Sequence, residues 1–249
     1  MISAFEHFAP HHQELRKRLV RCVLAVLLAS GAAYFWIEPL ISTVTRPLFL
    51  AYPPLQRLVY TNLTEAFVTY IKFALLAGLG ASFPIILHQV WGFVAPGLLP
   101  REKKVLRQVV FWGSALFAAG VLFAYFVALP RMLSFFMSYA GPALVPLPKL
   151  GGYLTFVGRM LLAFGLAFQI PFLMVTARGA GIVSRDYFTG KRRFFYIAIT
   201  LLAFLLAAGD LAATVLLCLP LIALYETGIL AGKVFGSQQP TPPPPQDAK

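Results

Sequence analysis

The groups that could do chemistry in this chain are a few carboxylates set among cations. Glu102 stands alone between Arg101 and the run Lys103, Lys104 and Arg107, just beyond an apolar segment whose end is marked by Trp91 and Pro96. Glu14 is placed the same way, among Arg16, Lys17, Arg18 and Arg21. An ionised carboxylate is acceptor-only, so a lone acid in a basic loop beside an apolar segment reads as a receptor site. Catalytic signatures are missing by comparison. His11-His12-Gln13-Glu14 lacks the HExxH order of a zinc protease, and Gly80-Ala81-Ser82-Phe83 has Phe where a protease serine motif needs its second Gly. There is no nucleotide-binding glycine loop, so any work must draw on a membrane gradient or a partner. Cys22 and Cys218 both lie in apolar runs, without the spacing of a disulfide framework or a metal site. No cofactor and no metal are expected, and the chain is not expected to be an enzyme.

The elements that must position these groups are apolar. Of 249 residues, 59% are hydrophobic and 12% charged, with a mean hydropathy of +0.77, far beyond what a soluble core requires. The net charge of +12 could suit nucleic acid, yet the cations sit in short loops between apolar runs, as membrane orientation demands. Six segments approach the ~20 residues that cross a bilayer: 19–37, 67–95, 109–129, 156–177, 194–208 and 211–230. Pro84 predicts a kink or tilt in the long second segment. The fifth has only 15 residues, and only Gly209 and Asp210 separate it from the sixth, so both read as short, beside thinned bilayer or a wet recess. Counted by alternate loops, 15 Lys and Arg fall on one side and 6 on the other, which makes both termini cytoplasmic. Cleavage after Ser30-Gly31-Ala32-Ala33 would put the basic loops on the wrong side and is rejected. Residues 1–18 form an amphipathic cytoplasmic segment, 38–66 and 130–155 are Pro-rich caps on the far side, and 231–249 is a disordered Pro-rich tail.

Several motifs in a fixed order resemble the TatC family, the multispanning receptor subunit of the twin-arginine protein translocase. They are His11-x-x-Glu14-Leu15-Arg16-Lys17-Arg18-Leu19, Thr64-Glu65-Ala66-Phe67 with Lys72, Pro84, and Gln89-Val90-Trp91-x-Phe93-x-x-Pro96-Gly97-Leu98 with Glu102. Downstream come Phe123-x-Tyr125-Phe126, Pro130, Phe164-Gly165-x-x-Phe168-x-x-Pro171, Asp210, Pro220 and Tyr225-Glu226. The resemblance implies an all-α integral membrane protein with six transmembrane helices in a concave, glove-like bundle. It implies a place in the cytoplasmic (inner) membrane, among membrane lipids, as a homo-oligomer within a hetero-complex with TatA/TatB-type single-span subunits. Its cargo would be twin-arginine precursor proteins, moved folded by the proton-motive force, and nucleic acid would not be a partner.

The same resemblance ties Glu14, Arg16, Phe93 and Glu102 to signal-peptide binding, and Gln169, Asp210 and Glu226 to partner-helix contact. A guanidinium pair seeks bidentate carboxylates near a low-dielectric surface, which Glu14 and Glu102 could supply. Simpler readings stand beside these. Glu14 could be an i,i+4 partner of Arg18, Glu102 a solvated loop charge, and Phe93 an interface aromatic beside Trp91. Gln169 departs from the family's usual Glu; an amide keeps its hydrogen bonds but cannot lose a proton, and it could serve as helix-to-helix glue. Asp210 follows Ala207-Ala208-Gly209 in place of the family's Thr-Pro-Pro and could be a turn residue capping the next helix. Glu226 could simply mark the end of the last span. Glu65 and Lys72 share a helix face seven residues apart, too far for an i,i+4 pair, and belong beside the far-side cap. Lys191-Arg192-Arg193 reads as a topology anchor. Two other functions remain open: a secondary transporter of a small solute using Gln169 and Asp210, or an assembly scaffold that binds helices alone. Dependence on paired arginines separates the receptor from both.

Overall fold

The structure is a computed structural model that describes residues 3–55, 57–94, 102–140, 145–179, 183–184, 186–206 and 211–235. Among the described residues it is helical throughout, with one isolated bridge between Val59 and Lys149. The helices are α1 (Ser3–Phe35), α2 (Ile37–Ala51), α3 (Glu65–Ala81), α4 (Phe83–Val94), α5 (Glu102–Phe123), α6 (Leu129–Met137), α7 (Leu150–Ala167), α8 (Gln169–Gly179), α9 (Tyr187–Gly190), α10 (Arg192–Leu206) and α11 (Leu211–Phe235), with a π turn over Ala124–Ala128 before α6.

Four stretches are long and apolar enough to cross a membrane: Gln13–Phe35, Arg107–Met137, Leu150–Arg178 and Thr214–Gly232. A fifth is the pair α3 and α4, bent by 52°. The bend falls where Pro84 predicted it. Proline has no N–H to continue the ladder, and Ser82 restarts it by accepting bonds from the Ile85 and Ile86 N–H groups at 3.0 Å. Helix α10 has 15 residues, about 22 Å at 1.5 Å per residue, which is short of ~30 Å of hydrocarbon. Helix α11 is not short: it runs 25 residues, because Ala231 to Phe235 carry the helix beyond the point where the apolar run thins. Nor does a structural break fall at residue 18, since α1 is one helix of 33 residues. The tail from 236 onward lies outside the described residues.

Large apolar side chains face outward along these helices, among them Leu28 (76% exposed), Phe35 (82%) and Phe126 (69%), an arrangement that only a hydrocarbon solvent tolerates over such an area. Inside, Leu48, Leu154, Val157, Phe164, Leu217 and Tyr225 form part of one continuous core. Glycines let helices α5 and α7 meet. A Cβ on Gly120 would lie 2.5 Å from the Phe164 carbonyl oxygen, so only a residue without one permits that approach. The π turn follows, where Leu129 N–H bonds Ala124 O five residues back and Phe123 packs between Phe164 and Phe168.

Helices α3 and α7 start together. The first N–H groups of a helix have no partner within it. Here Leu150 N–H donates to Val59 O at 2.8 Å, and Gly151 N–H to Glu65 Oε1 at 3.3 Å. Glu65 also accepts from Thr61 N–H at 2.8 Å, a bond that holds its carboxyl below the usual carboxylate range, against the opposing pull of partial burial. It stands at the mouth of α3, outside the apolar 67–95 segment. Glu65 thus caps the start of α7 from the first turn of α3 and holds the loop that leads into its own helix.

Candidate functional site

Helix α1 lies against α3 and α4, so Glu14 and Arg18 reach the segment around Gln89 to Phe93. The Arg18 guanidinium donates twice to one oxygen of Glu14, from Nε at 3.0 Å and from Nη2 at 2.6 Å. Its remaining nitrogen, Nη1, reaches the Gln89 carbonyl at 3.5 Å. The group rests directly on Gly92, where any Cβ would collide with Nη1. The i,i+4 pair anticipated as the simpler reading of Glu14 therefore exists, and it is more than local: it fastens α1 to α4 beside the half-buried Phe93.

Two side-chain acceptors on these residues have no partner among the described residues. Both Arg18 donors use Oε1 of Glu14, and Oε2 accepts no hydrogen bond from the described residues. Gln89 Oε1 is buried without a hydrogen-bond partner among them. A buried acceptor left unmade costs on the order of 1–3 kcal/mol, which applies to Gln89 Oε1, whereas the Glu14 side chain is 40% exposed and open to solvent. Arg16 is exposed on α1. Glu102 begins α5, but its side chain lies outside the described residues, as does the segment 95–101.

The remaining candidates are elsewhere. Gln169, 7% exposed, donates from Nε2 to the Gly113 carbonyl at 2.9 Å, tying the start of α8 to α5 at the break after Phe168. Glu226 accepts from Arg192 Nη2 at 3.0 Å and from the Tyr196 hydroxyl at 2.6 Å, which draws α10 against α11. Tyr225 beside it is fully buried, stacks on Phe195 with ring centroids 5.1 Å apart, and donates to Phe188 O at 2.8 Å. Asp210 lies outside the described residues. Glu14 thus reaches α4 through Arg18 at Gly92, the residue before Phe93, whereas Gln169 and Glu226 belong to two separate helix contacts.

Sequence reasoning missed Gly92 and Glu65 as positioning residues, and missed that Arg192 of the basic trio is neutralised. The gap between Trp91 and Phe93 was the available hint for Gly92, since a residue with no side chain inside an aromatic pair invites a close neighbour. Among the described residues, no cluster of His, Cys, Asp and Glu could hold a metal ion.

Comparison with known proteins agrees with this architecture. The family model of the Sec-independent protein translocase protein (TatC) matches residues 10–220. The TatC of Desulforapulum autotrophicum is 34% identical over 232 residues, covering 93% of this chain and 86% of the relative. The Escherichia coli K12 protein is 30% identical over 225 residues, 90% of this chain and 87% of the relative. A crystal structure described as the twin arginine translocase receptor TatC superposes with a TM-score of 0.81 at 31% identity, covering 90% of this chain and 98% of that one.

Proposed function

The chain belongs to the TatC family of Sec-independent protein translocase proteins, a multi-pass membrane translocase component and not a catalyst, and from that premise we propose that it receives the paired arginines of signal peptides at Glu14 and Glu102, beside Phe93. The observation that supports this reading is Glu14 Oε2, left open while Arg18 holds Oε1 and rests on Gly92. Arg18 occupies one oxygen of Glu14 and orients the other. An incoming guanidinium forms charge-assisted bonds there, about twice as strong as neutral ones, while its neighbour meets Glu102 across the loop. Arg16 keeps the approach basic, which disfavours lysine-rich or other loosely matched cations unless carboxylate geometry compensates.

The apolar part of the signal then inserts along the six-helix concave bundle, whose termini face the cytoplasm. TatA/TatB-type helices join at Gln169, Asp210 and Glu226 and at the short α10, in a hetero-complex within the inner membrane. With no nucleotide loop in the chain, the proton-motive force drives export of the folded cargo. The shortness of α10 supports a locally thinned membrane on that side.

The test is photo-crosslinking from a probe at Lys103, beside Glu102, to a precursor whose signal carries two arginines or two lysines, in energised and de-energised membranes. Crosslinking that needs arginine and survives loss of the gradient is the expected result. Glu102→Ala should abolish crosslinking in a probe placed at Phe93, at unchanged protein level. Equal crosslinking of the two signals would sink the receptor reading and favour a solute transporter or a scaffold.

A further inference from the structure

Helices α3 and α7 run side by side from one end of the bundle, and glycines line their seam. A Cβ on Gly151 would touch Glu65 and Thr69, one on Gly158 would press on Leu76, and one on Gly80 would meet Leu162. The two helices are therefore parallel and in register. On one side of the seam, Phe73, Ala77 and Leu161 help to line a hollow of ≈ 460 Å³. On the opposite side stand Lys72, three residues after Thr69, and Arg159, next to Gly158, both exposed. Both lie inside apolar spans. Lys72 is seven residues from the start of α3 and Arg159 nine from the start of α7, about 10 to 14 Å in at 1.5 Å per residue. Neither makes an ion pair within 4.0 Å among the described residues. Glu65, the carboxylate that opens α3, already accepts from the Thr61 and Gly151 amides.

We infer that Lys72 and Arg159 together hold the phosphodiester headgroup of an anionic phospholipid of the far leaflet, on the back of the seam between α3 and α7. Helical side chains lean towards their own N-terminus. Both cations therefore aim at the far end, where α3 and α7 begin, and Arg159 rises from deeper in the span towards the level of Lys72. A cation within a span is costly unless it meets an anion or reaches the interface, and a phosphate drawn down between these two answers both needs. Topology anchoring does not account for them, because anchoring charges collect at the cytoplasmic end and these lie towards the other. The surface below them is apolar: Val68, Leu75 and Leu79 share the Lys72 face of α3, and Leu166 follows Arg159 two turns along α7, all exposed. Acyl chains fit that surface. A free phosphate would satisfy the cations but has no tail to hold it against an apolar face. An acid-bearing partner helix would need its carboxylate at the same depth, and the partner helices of the receptor reading join at Gln169, Asp210, Glu226 and α10, none of which belongs to this seam. The site is separate from the Glu14 corner and stands or falls apart from the receptor reading.

The experiment is photolabelling of the purified full chain in detergent by phosphatidylglycerol that carries a diazirine in its acyl chain, with the labelled peptides mapped by mass spectrometry. Competitors are unlabelled phosphatidylglycerol, phosphatidylcholine of the same acyl chains, and inorganic phosphate. Label should fall on α3 and α7 around Leu75, Leu79 and Leu166, and of the three competitors only phosphatidylglycerol should suppress it. Each cation near an anionic lipid is worth about fivefold in affinity, so Lys72→Gln/Arg159→Gln should raise the half-saturating phosphatidylglycerol concentration about 30-fold. The charge-keeping swap Lys72→Arg/Arg159→Lys should stay within about threefold of the parent. If the double variant fails to fold, Arg159→Gln alone decides, with an expected loss of about fivefold. Equal competition by phosphatidylcholine, an undiminished double variant, or displacement of the lipid by millimolar phosphate would each overturn the assignment. Suppression by a single-span helix that bears a carboxylate, but not by its uncharged variant, would overturn it too, assigning the two cations to a protein partner.

Discussion

Gly92→Ala separates recognition from stability more cleanly than any carboxylate variant. The added Cβ must collide with Arg18 Nη1, which is the far end of a flexible side chain, so Arg18 swings aside at little cost and the helix backbone stays in place. What is lost locally is the long bond from Nη1 to the Gln89 carbonyl at 3.5 Å, worth about 0.5 kcal/mol at the weak end of such bonds. What is gained is helix propensity, since Ala is favoured over Gly by up to about 1 kcal/mol in a helix interior. The melting temperature should therefore stay within about 2 °C of the parent, given 2–4 °C per kcal/mol for a chain of this size. Binding should respond differently. Once Arg18 leaves α4, Glu14 is no longer held, and ordering a freed side chain on binding costs about 0.5–1.5 kcal/mol. Affinity for a paired-arginine signal peptide should fall roughly 2- to 12-fold at 1.4 kcal/mol per tenfold. Fluorescence anisotropy of a labelled signal peptide on the solubilised protein reads this directly. The double variant Gly92→Ala/Arg18→Gln should be no worse than Arg18→Gln alone, because both act through one guanidinium. Unchanged affinity in Gly92→Ala, or strictly additive losses in the double variant, would refute the positioning role.

Glu65 should make the far-side cap acid-sensitive. Its carboxyl is held below the ordinary range, so the contribution is fully present above the unfolded value and is lost as pH falls through the lower folded one. Hydrogen exchange at the Thr61 and Gly151 amides should accelerate as pH drops below the carboxylate range, beyond the intrinsic pH effect, and Glu65→Gln should remove that dependence; a dependence that persists in the variant would locate it elsewhere. Glu226→Gln keeps the Tyr196 hydroxyl bond but gives up the charge facing Arg192. For a pair whose side chains are 44% and 33% exposed, the loss is about 0.2–1 kcal/mol, seen as a fall in melting temperature of no more than about 4 °C. A collapse of the fold would mean Glu226 does more than join α10 to α11. Gly120→Val should be far worse, since the clash is with the Phe164 backbone oxygen and overpacking of this kind costs about 1–3 kcal/mol or more; near-normal yield and melting would show that α5 and α7 can separate.

What the sequence disclosed and what it hid follow from range. The apolar segments, the break at Pro84 and the shortness of α10 are local properties of composition and of a missing N–H, and they could be read before any coordinates. The Glu14–Arg18 pair was legible because four residues make one helical turn. The docking of that pair on Gly92 was not, since it joins residues far apart in the chain and leaves no periodic trace. The same holds for Glu65 reaching Gly151 and for Arg192 reaching Glu226, 34 residues away. The length of α11 was misjudged because hydropathy marks where an apolar run thins, and a helix need not stop there. Glu102 was singled out by the charge of its neighbours and by the family resemblance, and neither signal depends on where its side chain lies.

Gln169 shows how a departure from the family pattern can be physically sound. The Gly113 carbonyl that faces it is an acceptor, and an amide can donate to it while an ionised carboxylate cannot. In a buried place an unmatched pair of acceptors costs more than the bond itself returns. The glutamine therefore ties α8 to α5 at the point where Pro171 leaves the ladder without an N–H, and it does so at every pH. A carboxyl in the same position would make this tie only while it kept its proton. The exchange of acid for amide thus removes a titrating group from the bundle and leaves a fixed strut. If a partner helix joins here, it meets a surface whose shape does not follow the proton gradient, so any coupling of this chain to that gradient must run through groups other than residue 169.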